Sequence, residues 1–213
     1  MEHVTRTIAA NGEHEIEIRR SRFICALSRV ASEEEARGVI ERVRKAHWNA
    51  NHNCSAWRIG DGGRFQRSSD DGEPSGTAGI PMLEVLRRRD LTDVVAVVTR
   101  YFGGVMLGAG GLIRAYGGAV SSAIDAIGVV ERRPLHVTRM RVSHADAGRI
   151  ENALRASVFP LHDVTYDADG VEFTLHLDEK EVTGFTAWVA AATNGVAKVR
   201  DNGVVYVEAP VES

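Results

Sequence analysis

Three groups of side chains in this sequence could do chemistry. The first lies in "RYFGGVMLGAGGLIRAYGG", Arg100–Gly118, where glycines crowd a segment that also carries two arginines. Bare backbone amides at the mouth of a helix, with guanidinium groups in reach, can cradle a phosphate-like anion. The second, "SSDDGEPSGTAGIP", Ser68–Pro81, holds Asp70, Asp71 and Glu73, whose oxygens could take a hard cation, and the hydroxyls of Ser75 and Thr77. The third is His47, His52 and Cys54, an H-x4-H-x-C run of imidazole and thiol ligands.

Each group also has a plainer reading. In the glycine segment, Ala109 follows Gly108 where a P-loop needs lysine, and Ile113 stands where a dinucleotide fingerprint from Gly108 and Gly110 needs glycine. What survives is a generic anion site, set against a packing role in which glycine permits close approach and the arginines pair with carboxylates. Arg114 falls in the first helical turn, where its charge opposes the helix dipole. It also lies off the apolar face of Leu112, Tyr116 and Val120. Arg100, at the carboxyl end of a buried strand, is expected on the same rim, with Tyr101 and Phe102 either stacking on a base or filling the core. The candidate anion- or RNA-binding residues are therefore Arg100, Tyr101, Gly108, Gly110, Gly111 and Arg114.

The acidic loop departs from calcium-loop spacing, and Ser75 and Thr77 lack a G-x-S-x-G context. Asp71-Gly72 and Pro74 with Gly76 pin a turn, so Asp70, Asp71, Glu73, Ser75 and Thr77 form an ordered loop of unassigned role. The H-x4-H-x-C run offers only three ligands at a spacing that matches no standard zinc site. No catalytic residue, metal or cofactor is assigned.

The elements that must position these residues follow from periodicity. "EHEIEIRR" and "RFICALSRV" alternate as strands. Ser32 and Glu35 form a capping-box pattern, and Ala36, Val39, Ile40 and Val43 mark a helical face behind it. "NCSAWRI" reads as a strand, Gly60–Gly79 as a long polar loop, and Pro81 opens a short helix reaching Arg89. "DVVAVVTRYF" is a buried central strand. The next helix buries Leu112, Tyr116, Val120, Ala123, Ile124 and Ile127 and ends near Gly128.

"VVERRPLH" reads as the crossing between two domains, 1–132 and 135–213. The second gives strand, helix with Ile150 and Leu154 inward, a hairpin about Asp169-Gly170, a helix bearing Val182, Phe185 and Val189, and a closing strand. That β-α-β-β-α-β order is the ferredoxin-like plan, and the whole chain is expected to be α+β with two domains.

The totals bound the function. The 213 residues carry a net charge of −3, split as 19 Lys and Arg against 17 Asp and Glu up to Pro134, and 7 against 12 beyond it. A polyanion would therefore engage the first part. No apolar run reaches the roughly 18–20 residues of a membrane span, and the acidic start does not resemble a secretory signal. Cys25 and Cys54 are expected to be reduced thiols in a cytoplasmic protein, with a disulfide between them as the alternative.

Together "SRFICAL", "AHWNANHNCSAWRIG", "DDGEPSGTAGIPMLEVL" and "VVTRYFGGVMLGAGGLIRAYGGAVSSAI" closely resemble the YigZ/IMPACT family over roughly Ser21 to Ile127. The resemblance implies a first domain like the second domain of small-subunit ribosomal protein five, and a second like a ferredoxin-like domain of elongation factor G. Eukaryotic members restrain a starvation-responsive kinase using an additional RWD domain, which this stretch does not contain, so that activity is not carried over. The family's motif positions fall on residues including Arg22, His47, His52, Glu73, Arg100, Gly108, Arg114 and Tyr116, with no catalytic role implied. Three functions are left to weigh. They are a non-catalytic module gripping RNA or a ribosome-associated protein, a protein-interaction adaptor, and an enzyme on a phosphorylated or nucleotide substrate.

Overall fold

The computed structural model describes residues 4–211. They divide into two compact units, one of 4–132 with 208–211 and one of 133–207. The fold is α+β in two domains.

The first unit is built on an antiparallel sheet of β2 (Gly12–Ile18), β3 (Ser21–Arg29), β4 (His52–Ile59), β5 (Phe65–Ser69) and β6 (Val94–Tyr101), in the order β2-β3-β6-β4-β5. Three helices cover it: α1 (Glu33–Ala46), α2 (Gly79–Arg88) and α3 (Gly108–Ile127). The central strand β6 is apolar from Val94 to Val98 because both its faces are buried. Val94, Ala96 and Val98 join the large core with α2 and α3, while Val95 and Val97 join Ala36 and Val39 of α1. By the same parity Arg100 must point to the α2/α3 side.

Ser32 caps α1 by accepting the Glu35 amide, and the Glu35 carboxylate accepts the Ala31 amide. Cys25 and Cys54 both align with Val98 from opposite neighbours of β6. They are thus two strand spacings apart, about 9–10 Å, too far for the roughly 4.4–6.8 Å of a disulfide. Both are free thiols.

Two strands lie where the sequence offers no alternation. β1 (Thr5–Ile8) pairs with Val129–Arg132, and β5 occupies part of the expected Gly60–Gly79 loop, paired with β4. β5 is an edge strand with its side chains mostly exposed, so burial imposes no pattern on it. The expected interdomain crossing is also strand: β7 runs unbroken over Val129–Val142.

In the second unit β7 pairs β9 (Gly170–Leu177), which pairs β8 (Leu161–Asp167); β10 (Val199–Pro210) pairs β7. Helices α4 (His144–Arg155) and α5 (Glu179–Ala192) give a core around Met140, Ile150, Phe173 and Phe185. The chain order is β-α-β-β-α-β. The second domain, expected to run to residue 213, gives its last described residues back to the first unit. There Glu208 bonds Arg29, and the Val211 amide reaches the Val129 carbonyl. Among the described residues no helix is long and apolar enough to cross a membrane.

Candidate functional site

The acidic loop is a brace. The Asp70 carboxylate accepts the amides of Gly76, Ala78 and Gly79 at 2.8–3.0 Å, so it caps α2 from nine residues away. Burial alone would raise its pKa, but those three donors outweigh burial and hold it below the ordinary carboxylate value. Asp71 accepts the Asn53 amide and pairs with Arg44, tying the loop to β4 and α1. Thr77 is buried and donates to the Pro74 carbonyl, while Ser75 is exposed. The positive φ of Asp71 and of Gly72 makes the turn itself.

Glu73 closes the loop over the end of the sheet. Its Oε1 accepts Arg100 Nη1 at 2.6 Å and the Tyr116 hydroxyl at 2.7 Å, and both charged side chains are more than nine-tenths buried. The Arg100 guanidinium also lies 5.5 Å from the ring centroids of Phe23 and Phe102. Arg100 is thus a core ion pair and not a rim residue. The expected two-arginine rim is corrected here: strand parity turns Arg100 inward, where a carboxylate must neutralise it.

Arg114 sits on the opposite side of α3 from the Tyr116 side chain, exposed and without a hydrogen bond or ion pair among the described residues. Its Nη1 would lie 3.7 Å from a Cβ built on Gly110, so the guanidinium folds back toward the start of its helix.

The H-x4-H-x-C residues diverge. His47 Nδ1 meets the Tyr101 hydroxyl, His52 Nδ1 the Asp71 carbonyl, and Cys54 donates to the Asp70 carbonyl. Because a carbonyl only accepts, His52 carries its proton on Nδ1. Burial pushes the Cys54 thiol up to about 12, which leaves it protonated and inert at neutral pH. Among the described residues no group of His, Cys, Asp and Glu is placed to hold a metal.

What remains open to solvent gathers at one end of the first unit. The start of α3 has no side-chain cap, and Gly108, Ala109 and Gly110 are exposed. The preceding loop exposes Phe102, Val105 and Met106. Gly103 packs on the β2–β3 turn so closely that a Cβ there would lie 2.0 Å from the Arg20 carbonyl oxygen. That turn presents Arg19 and Arg20, both exposed and at positive φ. On the other flank Asn49 and Asn51 bond Tyr101 and Phe102, which brings the turn after α1 alongside with Trp48, 81% exposed. Arg19, Arg20 and Trp48 were not singled out in the sequence; the only signal for Trp48 was an aromatic residue outside any apolar period.

The Impact N-terminal domain matches residues 19–124, and a domain of unknown function, DUF1949, matches 140–196. "IMPACT family member YvyE" of Bacillus subtilis is 50% identical over 211 residues, covering 99% of this chain and 97% of its own. The chain belongs to the IMPACT family. "IMPACT family member YigZ" of Escherichia coli is 45% identical over 121 residues, 56% of this chain and 59% of that one. "Protein IMPACT homolog" of Saccharomyces cerevisiae is 38% identical over 95 residues, 42% and 36% of the two chains. A solved structure titled "Crystal structure of an hypothetical protein" superposes with a TM-score of 0.60 at 34% identity, covering 93% of this chain and 97% of that one.

Proposed function

We propose that this IMPACT-family protein is a non-catalytic binding module for single-stranded RNA or an RNA-bearing nucleoprotein, engaged through the open end of the first unit. The observation that carries the reading is the company the helix start keeps. Uncapped amides of Gly108–Gly110, the unpaired Arg114 guanidinium, and Arg19 and Arg20 offer phosphate contacts. Phe102 and Trp48 offer faces for unstacked bases. Positive groups interleaved with exposed aromatics are what backbone-tracking, stacking recognition requires. The acids of the braced loop are committed to structural bonds, which leaves the alternative of an enzyme on a phosphorylated substrate without a placed general base.

The test is fluorescence anisotropy with labelled single-stranded RNA across a salt series. Affinity is expected to fall steeply with salt, and Arg20→Ala or Arg114→Ala to flatten the slope of log K against log salt by about 0.7 per lost contact. Trp48→Ala should cost roughly 1–3 kcal/mol of binding without changing that slope. Binding indifferent to salt, or unaffected by all three substitutions, rejects the reading.

A further inference from the structure

α2 and α3 enclose an open cleft of about 870 Å³, away from the face that packs on the sheet. The two helices run parallel: Gly117 lies by Pro81 and Val85, and Arg89 of the following turn reaches Ser121 and Asp125. The cleft spans Ile80–Arg88 on one side and Ile113–Ser121 on the other, each about 12 Å of helix. Ile80 and Ile113, about half exposed at 55% and 44%, form an apolar pair at the Arg114 end, and Pro81 and Val85 continue the apolar lining toward the middle. Arg114 stands at one end and Arg88 at the other, neither with a carboxylate partner among the described residues. The single acid of the lining, Glu84, is already paired with Arg87.

The floor is the unusual part. Gly117 and Gly118 are consecutive in the middle of a twenty-residue helix, although glycine is the poorest helix former after proline. Packing does not require them. A Cβ on Gly118 would meet nothing within 4 Å, and one on Gly117 would make only ordinary contact with Val85 and Pro81. Neither residue is at positive φ. What their bareness does supply is depth in the cleft, which lets another backbone come close. A local choice that weakens the fold and serves no internal contact points to an external one.

We propose that this cleft receives an amphipathic acidic helix of a partner protein. Apolar side chains of that helix would fill the space between Ile80 and Ile113 and over Val85, and carboxylates about two turns apart would meet Arg88 and Arg114. Exposed isoleucines over a glycine floor suit a helix laid in a groove; stacked bases would call for aromatic walls, and none of the lining residues is aromatic. The inference shares Arg114 with the RNA-binding reading but does not rest on it, since Ile80, Arg88, Ile113 and Gly118 take no part in that reading.

The probes are helical peptides of about five turns. One carries leucines in a single stripe flanked by glutamates two turns apart, one has lysines in place of the glutamates, and one is a scramble. Binding to the full chain is read by anisotropy and by NMR shifts of the isoleucine methyls. The acidic peptide is expected to bind and to shift Ile80 and Ile113, with the other two at least about tenfold weaker. Gly118→Leu, which fills the floor, and Arg88→Ala should each weaken it by about tenfold, while Arg88→Asp abolishes it. Gly118→Ala, which meets no atom, should raise the melting temperature by a few degrees and still lower affinity. Its melting shift also shows that loss of binding is not loss of fold. Equal binding of all three peptides, binding that ignores Gly118→Leu, or no binding at all overturns the proposal.

Discussion

Glu73 and Arg100 are both more than nine-tenths buried, and each is tolerated there because the other is. Replacing both with apolar groups can be close to neutral, but removing one leaves a buried charge uncompensated. Glu73→Ala should therefore destabilise the first unit by about 3–5 kcal/mol, measured by denaturant unfolding. Tyr116→Phe, which deletes one bond to the same oxygen, should cost about 1.5–3 kcal/mol. If the Glu73 variant unfolds at the wild-type midpoint, the carboxylate is not what neutralises Arg100. At this scale the sequence was half legible. It identified the residues of the loop and of the strand end but not their pairing, because Glu73 and Arg100 are 27 positions apart and only the fold brings them together. Parity along β6 does place Arg100 inward beside Val98 and Ala96, and that signal outranks the adjacency to a glycine turn that put it on the rim.

Among the elements, α2 depends on a residue outside itself. It has no local side-chain cap, and its first amides go to Asp70 instead. Asp70→Asn keeps the shape but removes the charge that favours a helix N-terminus and turns the oxygen that accepts the Gly76 amide into a donor, so it should cost at least about 1 kcal/mol at neutral pH. The sign with pH follows from a carboxyl whose folded pKa is depressed. Its contribution is complete above the ordinary aspartate value of about 3.9 and is lost as pH falls through the lower folded value. Stability curves of the two proteins should converge in acid below about pH 4. A gap that persists unchanged would mean that the lost Gly76 acceptor, and not the charge, sets the cost. Helices and doubly buried strands were readable because burial stamps a period on them, as in the Leu112–Ile127 face and Val94–Val98. β1 and β5 were not, since an edge strand with exposed side chains carries no such stamp, and the β7 crossing hid its strand behind charged residues and Pro134.

For the molecule as a whole, the charge split has a structural meaning. The acidic second half does not lack arginines; Arg139 and Arg141 of β7 are engaged, Arg139 with Glu172, and Arg141 with both Asp167 and Glu172. The pKa of Arg141 is raised, first by its bond to Asp167, so its charge is held in place within the domain. In the first unit the opposite holds at the open end. Arg19, Arg20 and Arg114 have no acidic partner among the described residues, and exposed aromatics stand beside them. Of two domains in one chain, the one whose uncommitted cations stand beside exposed aromatics and carry no net acidic excess is the one a polyanion meets first, since each released counterion favours that contact. Ultraviolet crosslinking of single-stranded RNA to the full chain, read by mass spectrometry, should therefore mark Trp48, Phe102 and the segment about Gly108–Arg114. The marks should fade together as salt rises. Crosslinks gathered instead on the β7–β9 face would mean that the ion pairs of the second domain open for RNA, and would move the binding surface to that domain.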